Sequence, residues 1–358
     1  MLIFDAHLDL ALNAVDWNRD LRQGVDDIRA QEQMLGMRDL GRGTNTLSFP
    51  ELRSAGVAVC LTTMLARREE PINDPFGWTT LQACYAMAHG HAAYYKAMQQ
   101  EGYLAQIFTA EQLQEHWQRY QADPDNTPLG FILTMEGADP LLTPETVYEF
   151  HALGLRALGL THYGTNRYGG GTRSEAGLAL DAIPLLRNCE ALGITIDVTH
   201  LSDVAFWQVL EHFQGRIHAS HQNSRFICNW QRQFSDDQIR AVIGRDGVLG
   251  VALDVIMLQD GFVRGGAAAT ATLLRAVEHV EHVRELAGGS VRNIGIGTDL
   301  DGGYGNEQTP SDLNRYRDVQ RLVQIMQQRD FSDQEIQAIF HGNWLRFFSE
   351  ALPTEGCQ

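Results

Sequence analysis

The chain has 358 residues, 28 basic against 45 acidic, and a formal net charge of −17. That balance excludes partners that need a basic face, namely nucleic acid and anionic membranes. A hydrophobic content of 44% excludes a disordered chain.

No apolar stretch reaches the roughly 18 residues that a transmembrane helix needs. The opening Met-Leu-Ile-Phe-Asp-Ala-His lacks a basic n-region and an apolar h-region, and the final residues lack the hydrophobic tail of a lipid anchor. The cysteines Cys60, Cys84, Cys189, Cys228 and Cys357 are odd in number and contain no Cys-x-x-Cys. Cys60 and Cys228 stand beside apolar residues, so reduced core positions and a cytoplasmic location are expected. Only one of the 28 basic residues is a lysine, Lys96, so any lysine-dependent chemistry must use it.

The length suits two domains or one large α/β barrel. No linker, repeat or low-complexity tract divides the chain, so residues 1–358 read as one domain. Short apolar runs predict strands at 2–4, 56–63, 130–134, 157–161, 195–199, 216–219, 248–253 and 293–297. Helical patterns follow at 78–99, 145–153, 176–192, 203–212, 236–243 and 268–287, then at 311–328, 333–340 and 343–352. Ser235 and Thr143 are read as N-caps, with Pro144 at the first helical position. Several strand runs are continuously apolar, as parallel strands buried on both faces require. Eight strands alternating with helices predict a (β/α)8 TIM barrel with additional C-terminal helices. The rival doubly wound sheet lacks its Gly-x-Gly-x-x-Gly fingerprint.

Reactive residues of such a barrel sit at the C-terminal strand ends. Those ends carry Asp5-Ala-His7-Leu-Asp9, Met135-Glu136-Gly137, Thr161-His162, Thr199-His200, Ser220-His221 and Thr298-Asp299-Leu-Asp301. Each histidine taken alone is as readily a hydrogen-bonded barrel residue, and Glu136 or Asp299 alone could cap a helix. Together they differ. Three of these histidines and three of these carboxylates converging at one mouth are mutually unfavourable unless a cation holds them. The mixture suits Zn²⁺ or another borderline divalent ion, and six donors exceed one tetrahedral site. Two metals bridged by a carboxylate is the economical reading. His279 and His282 resemble a helical metal pair, but their alternation with Val277 and Val280 reads better as a solvated helix face. Gly169–Gly171 reads as a flexible loop over the mouth, since no helix begins there to cradle phosphate.

In their order, these motifs resemble those of the membrane (renal) dipeptidase family of the amidohydrolase superfamily, from His7 to Asn343-Trp-Leu-Arg-Phe. The resemblance implies a zinc dipeptidase with two Zn²⁺ ions, in which a metal-bridging hydroxide attacks the amide of a small peptide. It implies His7 and Asp9 on one zinc, His200 and His221 on the other, and Glu136 between them. A carboxylated lysine bridge, common in the superfamily, is ruled out because Lys96 lies in a helical pattern far from any strand end. His162 is implied to bind the scissile carbonyl oxygen, Asp299 to act as acid and base, and Arg232 to clamp the substrate carboxylate, with Arg225 as the rival position. Tolerance of a C-terminal D-residue and homodimer formation are also implied. Strand seven ends in Val251-Ala-Leu-Asp254, a departure from the family pattern, where Asp254 either meets a substrate amino group or caps the next turn. Two other readings remain open: an amide, lactam or N-acyl amino acid hydrolase on the same site, and a non-catalytic barrel.

Overall fold

A computed structural model of the chain describes residues 1–69 and 77–354, so Cys357 lies outside the described residues. Its centre is eight parallel strands: β1 Ile3–Leu8, β2 Val57–Leu65, β3 Leu129–Glu136, β4 Leu155–Gly159, β5 Thr195–Asp197, β6 Ile217–His218, β7 Leu249–Val251 and β8 Ile294–Ile296. Their spatial order is β7-β8-β1-β2-β3-β4-β5-β6. A parallel bridge between Ala219 and Leu249 joins the two outer strands. There the Ala219 N–H donates to the Val248 carbonyl at 2.9 Å, and the Gly250 N–H to the Ala219 carbonyl at 2.8 Å. The ring therefore closes as the alternating pattern predicts.

β2 and β3 form the longest continuous ladder, in register from Val59 opposite Gly130 to Leu65 opposite Glu136. Both strands are buried almost throughout, because one face fills the barrel and the other meets helices. Cys60, Cys84, Cys189 and Cys228 are all buried free thiols. Among the described residues no helix is long and apolar enough to cross a membrane.

Several helix starts differ from the sequence reading because capping hydroxyls override the apolar pattern. The helix after β2 runs Leu81–Gln100, three residues later than the pattern suggests, because the Thr80 hydroxyl accepts the Ala83 N–H. Ser235 forms the expected cap as a reciprocal capping box with Gln238. Thr143 does not cap: its own N–H is taken by the Thr146 hydroxyl, and the helix spans Thr146–Ala152. The expected 311–328 helix is a 3-10 segment Tyr316–Gln320 followed by an α-helix Arg321–Gln328. Helices Val25–Met34 and Ala110–Ala122 lie outside the predicted elements. Both have a polar mean composition that weakens an apolar-periodicity signal.

The C-terminal helix Asn343–Ala351 crosses the N-terminal ends of the strands and plugs the barrel floor. Phe348 stacks on Phe4 of β1 at 5.7 Å between ring centroids and on Trp344 at 5.9 Å. The Trp344 indole N–H donates to the Ile296 carbonyl at 2.9 Å, and Asn343 Nδ2 donates to the carbonyls of Val291 and Ile294, each at 2.7 Å. Gly295 leaves room for this ring, since a Cβ there would lie 2.1 Å from the indole nitrogen. Trp344→Ala is expected to destabilise the fold by about 3–5 kcal/mol, read as a lower urea midpoint; an unchanged midpoint would contradict the plug.

Candidate active site

All nine side chains singled out from the sequence meet at the C-terminal mouth. A cavity of about 600 Å³ there is lined by Asp9, Glu136, His162, His200, His221, Arg232, Asp254 and Asp299. His7 lies just beneath, its Nε2 3.4 Å from Glu136 Oε2, 3.6 Å from Asp9 Oδ2 and 3.7 Å from Asp299 Oδ1. The other Glu136 oxygen, Oε1, lies 3.1 Å from His200 Nε2 and 3.5 Å from His221 Nε2. One carboxylate thus faces two separate nitrogen sets.

Outer contacts fix how each ring presents itself. The Thr172 hydroxyl meets His200 Nδ1 and the Ser220 hydroxyl meets His221 Nδ1, each at 2.9 Å, which turns both Nε2 atoms inward. Those two Nε2 atoms lie 3.1 Å apart. Burial, reinforced by Arg232 and the neighbouring histidines, holds both rings well below the usual histidine range. With each ring proton on Nδ1, facing its hydroxyl, the two inward nitrogens cannot hydrogen-bond each other. His7 Nε2 is also buried without a hydrogen-bond partner. For His7, burial favours the neutral ring, but Glu136 and Asp9 outweigh it and raise its pKa well above normal. Orphaned nitrogens facing buried carboxylates are the environment a cation would relieve.

The ligand atoms of His7, Asp9 and Glu136 fall within 4.8 Å of one another, as do those of Glu136, His162 and His200, and those of His7, His221 and Asp299. The mixed nitrogen and carboxylate set fits borderline divalent metals, and it contains more donors than one tetrahedral ion uses.

Backbone staples hold the ligand-bearing strand ends. Asp5 Oδ1 accepts the N–H groups of His7 at 3.1 Å and Thr298 at 2.9 Å, while its Oδ2 accepts the Thr298 hydroxyl at 2.6 Å and the Tyr316 hydroxyl at 2.5 Å. Asp197 Oδ1 accepts the N–H groups of Thr199 and Ser220, both at 3.0 Å, tying the loop of His200 to that of His221. Asp301 is taken up the same way by Thr46 and Leu47 and is structural. His200 and Asp299 adopt φ of 66° and 60°, left-handed conformations that cost roughly 1–2 kcal/mol each.

His162 is the most exposed of the histidines at the mouth, with its Nε2 3.8 Å from Glu136 Oε1. Its Nδ1 lies 3.0 Å from Arg67 Nη1. A guanidinium only donates, so Nδ1 accepts and the ring proton sits on Nε2, toward the cavity. Burial, then Arg67 and Arg232, keep this ring neutral. Burial, then the carboxylates of Asp254, Asp9 and Glu136, push Asp299 well above the usual carboxylate range against the pull of His7.

Arg232 is buried in the cavity wall, donating to Gln222 Oε1 and, at 2.9 Å, to the His221 carbonyl. Among the described residues no carboxylate lies within 4 Å of it. The rival Arg225 is consumed by a bidentate pair with Asp203 at 2.7 and 3.0 Å. Asp254 caps the turn Val255–Met257 through the Ile256 N–H at 3.0 Å, as one of its two expected roles requires, and it also lines the cavity. Burial raises its pKa to about 7, although Ile256 and Gln308 donate to it.

Two expectations fail. His279 and His282 are buried rather than solvated. His279 Nδ1 accepts the Ser224 N–H at 3.0 Å, while His282 lies 2.8 Å from Asp236 and stacks on Phe226. Gly169–Gly171 is a packed segment, not a flexible loop, because a Cβ at Gly171 would lie 2.1 Å from the His162 carbonyl. Thr172, Ser220, Asp5, Asp197, Arg67 and Tyr163 are site residues that the sequence reading does not reach. Of these, Asp5, Ser220 and Tyr163 carry a signal, each standing beside a strand-end histidine or within its motif.

Comparison with known proteins identifies the family and agrees with the fold. A family model described as membrane dipeptidase (peptidase family M19) matches residues 1–355. Dipeptidase 3 of Mus musculus is 26% identical over 62% of this chain and 44% of its own length. A Klebsiella pneumoniae protein encoded in the pqqA 5′ region is 26% identical over 55% of this chain and 72% of its own. The chain spans about half the length of the curated dipeptidases it matches. The structure of a metallopeptidase from Rhodobacter sphaeroides, liganded with a phosphinate mimic of the dipeptide L-Ala-D-Ala, superposes with a TM-score of 0.77 at 20% identity, covering 99% of both chains. The chain belongs to the membrane dipeptidase family, peptidase family M19.

Proposed function

We propose that the protein is a zinc dipeptidase that holds two Zn²⁺ ions at its barrel mouth and cleaves the amide of a dipeptide, including one with a C-terminal D-residue. The observation that carries this reading is a buried guanidinium with no carboxylate partner among the described residues, Arg232, opening onto a carboxylate shared by two nitrogen sets. A free C-terminal carboxylate is the group that Arg232 lacks, and bidentate capture suits its planar fork. The L-Ala-D-Ala mimic held by the Rhodobacter sphaeroides relative supports the same substrate class.

His7 and Asp9 would hold one ion, His200 and His221 the other, and Glu136 both. Bound there, the ions supply an acidified water and a polarised carbonyl. Asp299 takes the proton of the attacking water and returns it to the leaving nitrogen as the C–N bond breaks. The Nε2–H of His162 donates to the carbonyl oxygen as negative charge develops on it. Asp254, across the cavity, would receive the substrate amino group.

Three outcomes test this. The purified protein should carry about two divalent ions per chain by plasma mass spectrometry, and dipeptide cleavage should stop with a chelator and return with Zn²⁺. A metal-free chain that gains no zinc on loading would overturn the reading. Asp299→Asn should lower kcat about 10²- to 10⁴-fold at near-normal metal content. Arg232→Met should weaken dipeptide binding by about 2–5 kcal/mol, seen chiefly in KM; a hydrolase whose substrate lacks that carboxylate would be barely affected.

A further inference from the structure

Two guanidinium groups stack on Tyr163, and the reaction above needs neither for its substrate carboxylate. The Cζ of Arg67 lies 5.6 Å from the ring centroid, and that of Arg173 lies 5.4 Å away. We propose that Arg173, with Arg67 and Tyr163, forms an anion subsite that selects dipeptides whose C-terminal residue has an acidic side chain, an inference that rests on the dipeptidase reading above.

The position fixes which substrate residue is read. Tyr163 lies 5.3 Å from the His200 ring, and Arg232 Nη2 is 3.4 Å from His200 Nε2. The stacked arginines therefore share the His200 side of the cavity with the clamp for the C-terminal carboxylate. The subsite takes the side chain of that same residue, the one whose carboxylate Arg232 holds.

Arg173 is the decisive cation. Its guanidinium is exposed at the cavity rim, and among the described residues no carboxylate lies within 4 Å of it and no protein acceptor takes its side-chain N–H groups. Stacking on tyrosine holds a guanidinium in place while leaving its in-plane donors free for a carboxylate. The backbone is also committed. Arg173 has φ of 66°, and its backbone N–H donates to Gln231 Oε1 at 2.8 Å. A strained non-glycine position at a cavity edge points to a functional side chain. Arg67 contributes less, because Glu69 lies 3.8 Å from its Nη2 and offsets part of its charge. Arg264, the remaining cation of the cavity, is turned to the Gly303 carbonyl at 2.6 Å.

The test uses the zinc-loaded full chain with L-Ala-D-Glu, its neutral isostere L-Ala-D-Gln and the cationic L-Ala-D-Lys. The expected result is kcat/KM about tenfold higher for the glutamate than for the glutamine substrate, carried mainly by KM. Arg173→Met should bring that ratio toward one, and Arg173→Glu should place the lysine substrate ahead of the glutamate one. Equal rates for glutamate and glutamine in the wild type, or a ratio that survives Arg173→Met, would overturn the subsite while leaving the dipeptidase intact. No cleavage of any of the three, nor of L-Ala-D-Ala, would overturn both.

Discussion

The carboxylate of Glu136 is the constraint on which the mouth depends. Its two oxygens face different nitrogen sets, so the histidines of β1, of the β5 loop and of the β6 end must converge on one buried group. Desolvation penalises every charge placed there. An arrangement so costly persists only where the surrounding structure holds each ligand rigidly and a counter-charge can enter. The chain meets the first condition with neutral outer groups, the hydroxyls of Thr172 and Ser220, which orient rings without adding charge.

Rigidity is achieved through two aspartates, one buried and one partly so, that never enter the cavity chemistry. Asp5 joins β1 to the end of β8, and Asp197 joins the end of β5 to that of β6. Each gives its Oδ1 to backbone N–H groups at strand ends, where the ladder runs out and donors would otherwise be orphaned. Satisfying the barrel's own hydrogen-bonding needs thereby sets the ligand geometry, so fold stability and site precision share the same atoms. The aromatic plug of Trp344, Phe347 and Phe348 closes the opposite end, leaving the mouth as the open face of the barrel.

Much of this is legible in the sequence because it is periodic or local. Continuous apolar runs mark strands buried on both faces, and the histidines and carboxylates that follow those runs mark a mouth suited to metal. Glu136 can be preferred as the bridge from a count alone, because Lys96 is the one lysine. What stays hidden depends on distant partners. Thr172 reaches His200 across a loop whose glycines suggest mobility, yet those glycines are there because the chain presses against the His162 carbonyl. Asp254 reads equally as a cap or a binding group, and the structure shows the cap on a residue that also lines the cavity. His279 and His282 sit on a polar-looking helix stripe that loops from elsewhere in the chain bury. No local pattern tells a covered stripe from a solvated one. The capping hydroxyl of Thr80 is a local signal, but the apolar run around it masks the helix start it sets.

The lone lysine has a further consequence. Lys96 is exposed near the end of the Leu81–Gln100 helix. That helix runs antiparallel to the strand it follows, so its last turns lie at the barrel floor, away from the mouth. An amine-reactive dye, spin label or surface linker therefore has a single side-chain target, on the side opposite the cavity. The native protein can be tethered through that side chain with its entrance facing solution.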